Sequence, residues 1–172
     1  NEGRFADAMT ELKVSLRFDS LHADAHYSLA RCLDTLGRKN EALVHYVKAR
    51  DYDMLRFRTS SDFNNLLRQM DDDRLITFVD IERKFKANAP DSLIGNGLIL
   101  EHLHPNARGY FLIAKEYAWK MHWRKLIVHT DDEWNRRDNL DDERLWNERA
   151  MTELDERCAR RRIELLTSGW PF

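Results

Sequence analysis

The sequence predicts a mainly α chain in three parts: helical hairpins over 1–54, a strand, loop and helix over 55–122, and a helical extension over 123–172. Three observations lead there. The first part matches itself at a shift of 34 residues. Apolar residues elsewhere fall mostly at helical spacing. Leu75 to Asp80, by contrast, is a short β-branched and aromatic run with the composition of a buried parallel strand.

Composition narrows the partners before any motif is read. The 172 residues, 42% of them hydrophobic, suffice for one compact core or two small ones. Basic and acidic residues nearly cancel, 28 against 30, so no long-range field favours nucleic acid or an anionic membrane. No run of about 18 apolar residues is present, so this segment is not expected to span a membrane. Cys32 and Cys158 lie far apart and form no CxxC pair. Neither a disulfide framework nor a thiolate zinc site is suggested, and no cofactor is implied. Localisation has no signal in these residues, and Asn1 is expected to start inside a repeat, with chain preceding it.

In the self-alignment Gly3, Arg4 and Ala8 fall on Gly37, Arg38 and Ala42, and Leu12 and Ser15 fall on Tyr46 and Ala49. In the later copy Tyr27, Leu29, Ala30 and Leu33 stripe one helix, Gly37 ends it, and Ala42, Tyr46 and Ala49 line the next. Small residues at 30, 42 and 49 let paired helices approach closely. A 34-residue period with these small and aromatic positions resembles the tetratricopeptide repeat (TPR) family. The match departs from that family at His26, where a Trp is common, and at Met54, where a Pro is common. One and a half such repeats cannot bury their apolar faces alone, so they are expected to lean on other structure. Their inner surface would carry Asp24, Tyr27, Arg31 and Asp34, a candidate face for a protein or peptide partner or simply a solvated one.

After the repeats, Leu55-Arg56-Phe57-Arg58 alternates as an extended stretch would. Arg56 and Arg58 share a face and are candidates for holding an anionic substrate group, or are plain edge charges. A helix is expected around Asp62 to Met70, with Ser60-Ser61-Asp62 at its start. Further on, Gly95-Asn96-Gly97 signals a turn, and Pro105 disfavours helix at His104. Asn106 is a good N-cap for a helix from Ala107, striped by Tyr110, Ile113, Ala114, Tyr117, Ala118 and Met121. His104 is thereby placed in a short loop before a helix N-terminus, whose partial positive charge favours the neutral ring, the form that acts as a base.

The segment Glu101 to Ala114, E-H-L-H-P-N-A-R-G-Y-F-L-I-A, resembles the closing block of GDSL/SGNH hydrolases, in which an acid, two spacers and His-Pro precede a Gly-containing amphipathic helix. The resemblance covers roughly residues 55 to 122. It implies an α/β/α sandwich and a Ser-His-acid acyl-transfer mechanism on an ester, with His104 as general base and Glu101 as the carboxylate that orients it. Glu101 stands where Asp is usual, one methylene longer. Two other readings stay open: a plain helix entry, and a metal site of Glu101, His102 and His104, disfavoured by their crowding. By alternation His102 is expected to point away from His104.

Acyl transfer also needs a nucleophile and oxyanion donors. The family's Gly-Asp-Ser-like turn, its Gly and its Asn near Asp are absent, and the serines at 15, 20, 28, 60, 61, 92 and 168 sit in helices, linkers or caps. The nucleophile and most of the sheet are therefore expected upstream, and this chain alone is expected to be inactive. The rival is a non-catalytic repeat module whose His loop is scaffold. From Trp123 onward charges alternate densely, and Trp146, Ala150, Met151, Leu154, Cys158 and Leu165 stripe an expected docking helix, with Trp170-Pro171-Phe172 tucked against a neighbouring surface.

Overall fold

A computed structural model of the chain describes residues 2–71, 75–127, 130–138 and 141–169. The chain is mainly helical. It divides into two units, one of residues 1–71 with Pro90–Leu93, the other of residues 72–89 with 94–172. The expected boundary after residue 54 falls inside the first unit.

In the first unit α1 (Glu2–Phe18), α2 (Ala23–Thr35) and α3 (Lys39–Tyr52) pack in succession. Met9, Leu29, Leu33 and Ala42 form their core, flanked by Leu12, Leu16, Cys32, Leu36 and Tyr46. Ala30 and Ala42 are wholly buried, so the backbones of α2 and α3 come as close as the small residues foretell. At the end of α2, Gly37 takes φ 74°. Its N–H reaches the Asp34 carbonyl at 3.0 Å, and the Arg38 N–H reaches that of Leu33 at 2.9 Å. These two bonds satisfy helix-end carbonyls through a left-handed residue that glycine adopts without a Cβ penalty.

Leu55 to Arg58 forms bends rather than an extended stretch. Then α4 (Ser61–Gln69) begins where expected, but the Ser60 hydroxyl makes no cap bond. Instead Asp51 at the end of α3 accepts the Ser61 N–H at 3.0 Å and binds the Arg50 guanidinium at 2.9 Å. Phe63, Leu66 and Leu67 on α4 and Met70 at its C-cap stay exposed. A short 3-10 turn, Pro90–Ser92, packs on α3.

In the second unit, the strand expected at Leu75–Asp80 does not form, and no strand exists among the described residues. Leu75 is 88% exposed, and Asp80 serves as the N-cap of α5 (Ile81–Ala87), accepting the Arg83 N–H at 3.0 Å. An apolar run becomes a strand only when its ladder groups find a neighbour. The core of this unit is Phe85 on α5, Leu98, and Leu112 on α6 (Ala107–Trp123), with Ile81, Ala89, Ile99 and Ile113 around them. A 3.0 Å ion pair, Lys84 to Glu116, ties α5 to α6.

The start of α6 is as expected, but its buried face is not. Gly109 and Leu112 are buried, whereas Tyr110, Tyr117 and Met121 of the expected stripe are exposed. Gly109 explains the difference. A Cβ there would lie 2.4 Å from the Leu98 carbonyl oxygen and 2.8 Å from Pro105 Cβ, so the missing side chain lets the preceding loop sit directly on this face.

The tail is not one long helix. After α7 (Asp131–Asp138), α8 (Asp142–Asn147) ends before the stripe continues, and α9 (Glu153–Leu166) starts afresh. Thr152 and Asp155 cap each other's backbone N–H groups, a capping box that fixes the break. Of the expected docking stripe, Trp146 packs edge-on against Phe111 of α6 with ring centroids 5.6 Å apart, whereas Met151, Leu154, Cys158 and Leu165 are exposed. Trp170, Pro171 and Phe172 lie outside the described residues.

Candidate functional site

The loop between Leu98 and Asn106 is a small antiparallel hairpin. Ile99 and Pro105 bridge, Leu100 N–H donates to the His104 carbonyl at 2.8 Å, and Asn106 N–H donates to that of Leu98 at 2.9 Å. The stem is anchored by Leu98 in the core below and by Asn106 above. The Asn106 side chain accepts the Gly109 N–H at 3.0 Å as N-cap of α6, and its amide donates to the Asn96 carbonyl at 3.0 Å. His104 is thus held by a closed loop and a capped helix, both dictated by local residues.

Within this loop the chain curls around the Glu101 carboxylate. Its oxygens accept the Leu103 N–H at 2.7 Å and the His104 N–H at 3.0 Å, and one of them binds His104 Nδ1. His102 Nδ1 lies 2.8 Å from the other oxygen. The Glu101 side chain is 6% exposed, while the His104 ring is 55% exposed. Burial pushes the Glu101 carboxyl up, but the bond from His104, the two backbone N–H groups and the charge of His102 outweigh it, so the group lies below its ordinary 4.5 and is a carboxylate at neutral pH.

Electrostatics then choose the tautomer. A carboxylate only accepts, so the His104 nitrogen facing it carries the proton. In the neutral ring Nε2 keeps its lone pair, and among the described residues no group bonds to it. The arrangement can orient an imidazole, accept a proton at Nε2 and stabilise the imidazolium that results.

Glu101 and His104 are brought together; the candidates for substrate and partner binding named from the sequence belong to the first unit. Arg56 and Arg58 are exposed and belong to the first unit, where Arg56 donates to the Asp53 carbonyl at 3.2 Å. Tyr27, Arg31 and Asp34 also belong to the first unit. The Arg31 guanidinium sits 5.9 Å from the centre of the half-exposed Tyr27 ring, and Asp34 pairs with Lys39 and accepts from the Tyr46 hydroxyl at 3.4 Å. His102, expected to point away, converges on the same carboxylate as His104. Alternation applies to extended backbone, and this backbone is a tight turn. Gly109 and Phe85 support the loop from below, and the one sequence signal for this is a lone Gly in a helical stripe, which marks close backbone approach.

Among the described residues no group of three or more His, Cys, Asp or Glu side chains is arranged to hold a metal ion. The second unit contains a single serine, Ser168, whose hydroxyl donates to the Leu165 carbonyl at 2.8 Å. No family model matches the chain, and no curated protein or solved structure matches it either.

Proposed function

We propose that this chain supplies the histidine and carboxylate half of a serine ester hydrolase of the GDSL/SGNH type. The observation that carries the reading is the Glu101–His104 pair: a buried, ionised carboxylate holding Nδ1 of an exposed imidazole whose Nε2 is unbonded among the described residues. In an acyl transfer, His104 Nε2 takes the proton from a serine hydroxyl as it attacks the ester carbonyl, then returns it to the leaving alcohol. Glu101 stabilises the imidazolium in between without itself being protonated. The serine, the oxyanion donors and the sheet of the sandwich belong to chain outside these residues, and an acyl or acetyl ester is the substrate class. The exposed half of α6, with Tyr110, Tyr117 and Met121, is where such a sheet would pack.

A polypeptide carrying both this chain and the serine segment tests the reading by hydrolysis of a short-chain chromogenic ester. His104→Ala should lower kcat by about 10²- to 10⁴-fold; undiminished turnover would remove the mechanism. Under the same conditions the 172 residues alone should show no His104-dependent turnover.

A second reading rests on the first unit. Successive packing of α1, α2 and α3, with Tyr27 and Arg31 stacked on the surface of α2, supports a tetratricopeptide-like module that binds a protein or peptide segment. The two readings are compatible within one chain.

A further inference from the structure

His26 stands where the repeat pattern favours a large aromatic, and its ring is turned to a different use. The residue is 3% exposed. Its Nε2 lies 3.1 Å from the Ser20 carbonyl oxygen, and its Nδ1 lies 2.8 Å from Nδ1 of His45 on α3. A carbonyl only accepts, so His26 carries its proton on Nε2. Neutral His26 then offers a lone pair at Nδ1, and His45 must donate through its own Nδ1.

We propose that His26 and His45 form a proton-sensitive latch between α2 and α3, closed with one proton in the gap and opened by acid. A first added proton goes to His45 Nε2, outside the gap, and leaves the bond in place. A second must go to His26 Nδ1, so that two N–H groups face each other inside the core with no acceptor between them.

The surroundings oppose charging. Burial holds His45 below its ordinary 6.5, and His26 from α2, Lys48 on α3 and Lys13 from α1 act the same way, with Glu41 alone opposing. On the His26 side stand the Tyr52 ring, 5.6 Å away between centroids, the Ser20 carbonyl, and the start of α2 with its positive dipole end. The sign follows from linkage. His45 is depressed in the folded state, so the unfolded state binds more protons below 6.5. The stabilisation is whole above 6.5 and is lost as pH falls from there through the folded value.

Amide hydrogen-exchange protection of Ala30, Leu33 and Ala42 in the full chain, followed between about pH 8 and pH 5, tests the latch. The wild type should lose protection more steeply than His26→Phe, approaching an extra tenfold per pH unit for each added proton bound on opening. Equal slopes would overturn the proposal. If His26→Phe fails to fold, ring-nitrogen NMR of the unaltered chain at pH 8 decides the matter. The latch requires the Nε2–H tautomer at His26 and the Nδ1–H tautomer at His45, and Nε2–H on both rings would overturn it.

Discussion

At the scale of single residues, the Glu101 carboxylate does most to define the candidate site. Its three hydrogen bonds come from two consecutive residues, Leu103 and His104, so the charge that orients His104 also folds the loop that presents it. Because its carboxyl lies below 4.5 in the folded state, Glu101 contributes stability that is whole above that pH and is lost as pH falls through the folded value. Glu101→Gln should therefore flatten the acid limb of stability, which urea midpoints measured from pH 6 downward will show. The acid-x-x-His spacing was legible in the sequence because Pro105 and Asn106 fix where the loop ends. The convergence of His102 was not, since it depends on how tightly the intervening backbone turns. Gly109 is the second residue on which the site depends. A methyl group 2.4 Å from the Leu98 oxygen must push α6 off the hairpin, so Gly109→Ala should cost about 1–3 kcal/mol, typical of overpacking. Gly97→Ala, with nothing within 4 Å of the added Cβ, should be close to neutral in the same urea titration.

Among the elements, the helix ends at Asn106 and Gly37 are more legible in the sequence than the buried faces. Asn106 and Gly37 mark their helix ends through backbone hydrogen bonds that one residue decides. The buried side of α6 is decided by what else is present to pack on it, and α5 with the Leu98 hairpin claims the Gly109–Leu112 side. The same dependence explains Leu75–Asp80, whose composition suits a strand but whose ladder has no strand to join among the described residues. In the tail, Thr152 decides that α9 is separate from α8. Thr152→Ala removes the box and should cost about 0.5–2 kcal/mol of local helix stability, seen as lower helical circular dichroism and faster amide exchange at 153–156.

For the molecule as a whole, the described residues hold two small cores and no strand. Each is built from a few buried side chains: Met9, Leu29, Leu33 and Ala42 in one, Phe85, Leu98 and Leu112 in the other. Cores of this size leave little margin. Leu29→Ala should cost about 2–5 kcal/mol, enough to lower sharply the urea concentration at which helical circular dichroism is lost from the first unit. Helical content and the 34-residue period are local properties and could be read from one chain, whereas a sheet is a long-range property that no local pattern guarantees. The functional account rests on one proton and where it sits. Ring-nitrogen NMR of His104 in the 172-residue chain at neutral pH measures this directly. The account predicts Nδ1–H with an unprotonated Nε2, shifting toward a mixture of tautomers in Glu101→Gln; a wild-type ring protonated on Nε2 alone, or one unmoved by that substitution, would contradict it.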